Sequence, residues 1–599
     1  LCRVLGSGVA LRNQICPVLV AFFLAAFSLF AQSTSAPAKP DASSPSTAAT
    51  NEGLAALQRG DFSAARKQFE AAVRLNPGSA EAHNYLGWVL YTTGEIKPAV
   101  AQFETAIRLK PSLAEAHVNL STALAQANDP PGATREARKA IALAPQSADA
   151  YHALARALEL SNDLDGATKA IHHSVELAPA RADLHDGFGS LFVRQNDLPA
   201  AVAQFQEAIR LSPDFALAHF HLGVVYFQQK NYAGSATELD RAAQLAPQNY
   251  LASYYLGLAR SNLGDAEGAI SALQASVKVN PDQPDAQNQL GLLLQRAGRP
   301  DEAAVAFRQF IRLEPSNPDA QNNLGLSLLQ TGDGDGSIAA FREALRLRPD
   351  DPGYQGNLGT AYLQKADFVA AVAEFQSALQ RAPNDQTLHY NLGLALKLQD
   401  KLPEAIAELR KAESIDPSQP DAPYTLGITL WQQGDADAAV TELHAAIHAK
   451  PDYAEAYYML GTILKQQSKL QEAAAALREA VRLQPDFAGA HTTLAAVLRQ
   501  LGDTAAASEE ARAGAALAKR KTDLQASLFA TNSGKRLRRA GDLDGAISQF
   551  RAAINAAPDY APAHYELGLA LLQQGKKEEA SQEFQKAATL DPKLVPPQI

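Results

Sequence analysis

An all-α solenoid of stacked helix pairs is the fold class this sequence predicts, on three observations. Proline recurs every 34 residues, thirteen times, from Pro77, Pro111 and Pro145 through to Pro451 and Pro485. Small residues keep the same phase. With each ladder proline as position 32, repeats start at 46, 80, 114 and so on to 488, then at 527 and 561, which makes sixteen. Position 8 is glycine in thirteen of them (Ser121, Ala155 and Ala495 in the rest), and position 20 is alanine in all but two, Ser235 and Ser337. Each period also holds two helical stretches around a polar turn, such as Gly264-Asp265 or Gly434-Asp435. Such units bury their apolar faces on their neighbours, so function is to be sought on the surfaces of the stack.

Composition agrees. A chain of 599 residues is too long for one compact core, and 46% hydrophobic residues suffice for a continuous one. The net charge of −10 argues against general nucleic-acid binding, which draws most of its affinity from a basic stripe. Cys2 and Cys16 both precede the repeats, so the array has neither a disulfide framework nor a thiol nucleophile.

In chain order, residues 1–31 read as an export signal. Arg3 and Arg12 supply the positive region, Ile15 to Phe30 is apolar apart from Ser28, and Ala31 is a small residue suited to cleavage. The same run is close to the lower limit for an uncleaved membrane anchor. The expected location is therefore the cell envelope or periplasm of a bacterial host, with any membrane association through residues 1–31. Residues 32–45 (QSTSAPAKPDASSP in large part) read as a disordered linker. Repeats 1–14 occupy 46–521.

A defect follows. Lys519 stands where the ladder expects proline, and the next repeat starts five residues late. The stretch from Lys519 to Ala526 is expected to break or bend, with an irregular junction at 522–526. Repeats 15 and 16 take 527–594, and the tail 595–599 is too short for another helix pair.

Within each repeat, small residues at positions 8 and 20 let two helices approach. Leu at position 7 (Leu86, Leu120, Leu290, Leu324) and Phe or Leu at position 24 (Phe69, Phe103, Phe205, Phe341) fill the space between them. The ladder proline ends one helix and helps start the next.

Leu-Gly at positions 7–8, Ala at 20 and 27 and Pro at 32 together resemble the tetratricopeptide repeat, over residues 46 to 594. The resemblance implies a right-handed superhelix of about sixteen helix-turn-helix repeats whose first helices line a concave groove. It also implies binding of protein or peptide rather than catalysis. Position 4 departs from the family's tryptophan: it is histidine at His83, His117, His185, His219, His389, His491 and His564.

Candidate binding residues follow from the same register. Position 6 carries an amide in four successive repeats, Gln289, Asn323, Asn357 and Asn391. The row is similar to that of the O-linked N-acetylglucosamine transferase arm, where asparagines grip a peptide backbone, and an amide both donates and accepts. Position 5 carries Tyr390, Tyr424 and Tyr458 in succession, with Phe220 and Tyr254 earlier; Trp88, Tyr91 and Trp431 lie at other groove-side positions. Exposed aromatics serve as interface anchors, and the same side chains suit burial between neighbouring first helices. Lys535, Arg536, Arg538 and Arg539 form a basic cluster on an acidic chain, suited either to an anionic partner or to solvent.

Other constellations point away from chemistry. The position-4 histidines sit one to a repeat and need not converge on a metal, and His444 and His448 share a helix face without a third ligand. The turn Gly332 to Gly336 lacks the ligands of a calcium loop. No repeat has lysine at position 5, which chaperone-tail clamps of the family require. No phosphate-binding, dinucleotide or nucleophile-elbow motif occurs, and the repeats leave no room for a catalytic domain. The expectation is an exported scaffold, not an enzyme, with no cofactor and no metal. Two alternatives stand beside it: the substrate-recognition arm of a glycosyltransferase-like system, and a polysaccharide-export scaffold.

Overall fold

The computed structural model describes residues 44–594, 596 and 597. The expected leader, the linker up to residue 43 and residues 595, 598 and 599 of the tail lie outside them. The described residues form 31 helices and no strand. The chain divides into two compact units, one ending at Asp333 and one beginning at Gly334.

One local plan recurs in both units. The first helix of a repeat usually spans positions 1–13, as in Ala80–Thr92, and the second positions 17–30, as in Ile96–Leu109. Position 15 turns the chain between them and has positive φ in every repeat: glycine in nine, and Asn128, Asn162, Asn196, Lys230, Ala366, Asp400 and Ser468 in the others. Ala366, at φ 58°, carries the strain that glycine avoids. The next residue is commonly aspartate. Asp163, Asp197 and Asp435 each accept the backbone N–H three residues on, which caps the second helix. That helix ends two residues before the ladder proline, which sits in the turn, where its missing N–H costs nothing.

The two helices of a repeat meet as the small-residue pattern requires. A Cβ on Gly87 would lie 2.7 Å from a ring carbon of Phe103, and one on Gly291 2.7 Å from Phe307. Phe69, Phe103, Phe205, Phe307, Phe341, Phe375 and Phe550 at position 24 are fully buried. The three repeats without glycine at position 8 have neither Phe nor Leu at position 24: Ser121 goes with Ala137, Ala155 with Ile171 and Ala495 with Ala511. Phe and Leu at position 24 thus occur only opposite a position-8 glycine, where no Cβ blocks them.

The position-4 histidines close the repeat from its other end. In all seven, Nδ1 lies 2.5–2.8 Å from a Glu or Gln side chain nineteen residues on, at position 23 of the second helix. Nε2–H donates to the carbonyl of the proline six residues back, at 2.9–3.1 Å. The imidazole thus ties the incoming turn to the second helix of its own repeat. Burial pulls the His219 ring down, but its bonds to Glu238 and the Pro213 carbonyl outweigh that and raise it. Burial likewise pushes Glu136, Glu408 and Glu583 up, yet their histidine and lysine partners hold these carboxyls below the usual range.

Repeat 12 shows the brace half-built. Position 4 is Pro423, so Glu442 at position 23 has no histidine. Burial and the neighbouring carboxylate of Glu413 push Glu442 up to about 7.

The expected irregular junction at 522–526 is not there. Residues 504–539 form one 36-residue helix, Thr504–Arg539, which joins the second helix of repeat 14 to the first of repeat 15. Without proline at 519, the stretch KRKTDLQA contains nothing that interrupts a helix, and it continues one.

Two stability predictions follow from these pairings. Gly291→Ala forces its methyl into Phe307, so it should lower stability by roughly 1–3 kcal/mol in denaturant titrations despite alanine's better helix propensity. Glu442 binds its proton more tightly folded than unfolded, so its contribution worsens as pH rises from about 4.5 to about 7 and stays unfavourable above that. Glu442→Gln should therefore stabilise the protein at pH 8, by roughly 1 kcal/mol after allowance for its half-exposed setting, and make no difference near pH 4 in scanning calorimetry.

Candidate inner-face binding site

First helices of successive repeats touch one another within each unit. In the first unit Ala114–Gln126 meets Ala148–Leu160, and Pro284–Arg296 meets Pro318–Thr331. In the second, Pro352–Gln364 meets Gln386–Leu398, which meets Asp421–Gln433. The inner face of each unit is therefore built from first helices.

Side chains on that face follow one register: position 5 of a repeat adjoins position 6 of the next. Asn119 Nδ2 donates to Asn84 Oδ1 at 3.0 Å, His221 Nδ1 lies 2.8 Å from Asp186 Oδ1, and the Tyr390 and Thr425 hydroxyls are 3.5 Å apart. Each contact spans 35 residues and helps set how one repeat sits on its neighbour.

The amide row divides two and two between the units. Gln289 and Asn323 are in the first, Asn357 and Asn391 in the second, and all four are half-buried. The side-chain amides of Gln289, Asn323 and Asn391 make no hydrogen bond among the described residues, so each keeps donors and an acceptor for a ligand. By the same register Asn288 lies beside Asn323, and its buried Oδ1 has no partner.

The aromatic candidates are half-buried and largely engaged in packing. Tyr424 packs on Tyr453 with ring centroids 4.8 Å apart, and Tyr458 on Phe487 at 4.7 Å. Burial, with Glu455 and Tyr390 nearby, raises the Tyr424 hydroxyl. Trp431 Nε1–H donates to Gln466 Oε1 at 2.8 Å. Tyr390, Tyr424, Tyr458 and Trp431 all pack against one apolar core cluster of the second unit. They stiffen the wall of the inner face and remain partly exposed.

The basic cluster splits in the same way. Lys535 and Arg538 both pair with Glu566 on the first helix of repeat 16, at 3.3 and 3.0 Å. They fasten the last two repeats together, while Arg536 and Arg539 remain exposed. His444 and His448 are exposed on a second helix. The position-4 histidines spend one ring nitrogen on their own repeat and the other on the proline carbonyl of the preceding one.

Sequence reading passed over the leucines at position 9. Leu258, Leu292 and Leu326 in the first unit, and Leu394 and Ile428 in the second, are half-buried on the same helices as the amides. Their recurrence every 34 residues was the available signal; it went unused because one leucine looks like any other core residue.

Comparison with known proteins bears on this geometry. A tetratricopeptide repeat model matches residues 50–114, 357–420, 424–486, 458–523 and 531–594. A model of the C-terminal domain of cilia and flagella-associated protein 70 matches residues 186–356. No curated protein matches the chain. Among solved structures, YrrB, described as a tetratricopeptide protein with an unusual peptide-binding site, is 24% identical with a TM-score of 0.29, over 31% of this chain and 94% of its own. The Cut9–Hcn1 hetero-tetramer is 13% identical with a TM-score of 0.34, over 81% and 99%. Yeast Tom70 is 16% identical with a TM-score of 0.30, over 72% and 97%. With the repeat signature and the helix-pair geometry, the matching models settle the family: the chain belongs to the tetratricopeptide-repeat proteins, an all-α scaffold suited to protein–protein interaction.

Proposed function

We propose that the chain is an exported scaffold that binds extended protein segments along the inner face of its first helices, for the assembly of a complex. The observation that carries this reading is the half-buried amides without internal partners, Gln289 and Asn323 in one unit and Asn391 in the other. Amides in such a setting bond a peptide backbone whatever its side chains. The position-9 leucines beside them offer apolar contact, and repetition along the stack adds avidity. Export rests on the composition of residues 1–31.

The two alternatives keep specific supports. The amide row suits the recognition arm of a glycosyltransferase-like system, acting on a protein substrate gripped in the same way. Exposed Arg536 and Arg539 suit an anionic polysaccharide, and binding of such a glycan that is lost on neutralising both would favour that reading.

A photo-crosslinking residue placed at Leu326 or Leu394 in the native host should trap a protein partner. Asn323→Ala, Asn357→Ala and Asn391→Ala combined should weaken that capture by roughly tenfold or more while helicity is unchanged. Equal capture by the triple variant would remove the amide row from the site. Osmotic shock of the host should release the mature protein, and its retention in the cytosol would rule out export.

A further inference from the structure

Helix Thr504–Arg539 leaves two stacking faces uncovered. Position 3 is buried in fourteen repeats, at 0–6% exposure from Ala82 and Ala116 to Ala490 and Ala563. In repeat 15 it is Phe529, and it is 73% exposed. Position 28 shows the matching defect. Val73, Ile107, Ile447 and Val481 occupy it in other repeats and pack against core clusters, but in repeat 14 it is Ala515, which is exposed.

These two positions normally border one packed interface. In the first two repeats Val73, at position 28, packs against the cluster that joins Ala72 to Ala82, the position-3 residue of the next repeat. The turn around the ladder proline folds the second helix of one repeat back on the first helix of the next, so position 28 faces position 3. At 519 the proline is missing and the turn is drawn out into helix. A rigid helix of 36 residues, about 54 Å long, cannot bring its own Ala515 against its own Phe529.

We propose that a second copy of this chain supplies the missing contact, so that the protein is an antiparallel dimer formed by reciprocal exchange of this hairpin. The register is self-complementary. A two-fold axis at Thr522 sets Ala515 opposite the second copy's Phe529, Ala518 opposite Ala526, and Ala511 opposite Ser533. These residues recur at spacings of 4, 3, 4, 4, 3 and 4 from Ala511 to Ser533, which is one face of a helix and reads the same from either end. From Ala515 to Phe529 that face is exposed throughout. It continues the interface that stacks every other repeat, with a phenylalanine seated on an alanine. Lys519 and Asp523, paired at 2.8 Å within the helix, lie on one flank of the seam, where each also faces its opposite charge across the axis. A C2 interface requires this self-complementarity.

Sedimentation velocity of the full chain over a range of concentrations tests the proposal. A dimer is expected, and a monomer at the highest concentration would overturn it. Phe529→Glu, at an exposed position, should leave helicity unchanged and weaken self-association roughly tenfold or more; an undiminished dimer counts against the seam. Thr522→Cys, on the axis, should form an intermolecular disulfide beyond the wild-type background, and Leu524→Cys, on another side of the helix, should not. Equal crosslinking at the two sites excludes this register. Lys519→Pro restores the missing ladder proline, so the hairpin should close within one chain and yield a monomer of the same helicity. A Lys519→Pro dimer would show that the exchange is not an opened hairpin.

Discussion

The contact between a glycine at position 8 and a large apolar residue at position 24 is the constraint on which each repeat depends. It sets how close the two helices lie, and so the thickness of the layer that the next repeat must match. The ring of Phe307 lies where a Cβ on Gly291 would point, which leaves no slack on either side. Where position 8 carries a Cβ, position 24 is Ala137, Ile171 or Ala511 rather than Phe or Leu. The side chain at position 24 is tied to the room that position 8 leaves for it, as close packing requires.

A second constraint, polar rather than apolar, fixes the entry to the repeat. A histidine whose two ring nitrogens bond the preceding turn and its own second helix holds the angle at which successive repeats join. All seven such histidines have Glu or Gln nineteen residues on. A half-buried carboxylate without that histidine is poorly placed, and Glu442, beside Glu413, shows the consequence in its raised pKa. Histidine at position 4, where the wider family has tryptophan, thus exchanges apolar filling for a directional bond.

Residues that look functional are sorted by these same constraints. Tyr424 and Tyr458 are drawn into packing against the last residue of their own repeats, Trp431 into a bond to the next repeat, and Lys535 and Arg538 are held by Glu566. Gln289, Asn323 and Asn391 at position 6 project from the same helices and are not consumed in this way, because position 5 of the preceding repeat does not always offer a partner. Asn119 has Asn84, whereas Asn391 follows Gly356, which has no side chain. Binding capacity on the inner face is what remains after the stacking contacts have been made.

By itself the sequence determined the repeat, its length, its two helices and the small-residue seam between them, because each is a local pattern that recurs in fixed phase. The amide row was legible for the same reason. Tertiary structure decided everything that depends on a partner distant in the chain. The histidine ladder was visible at once, but its role needed the residue nineteen positions on and the carbonyl six positions back to be brought to one ring. The missing proline at 519 was visible too, and it suggested a break. Only the fold showed that a chain with no reason to turn continues as helix, and that Phe529 consequently stands in solvent where its equivalents are buried.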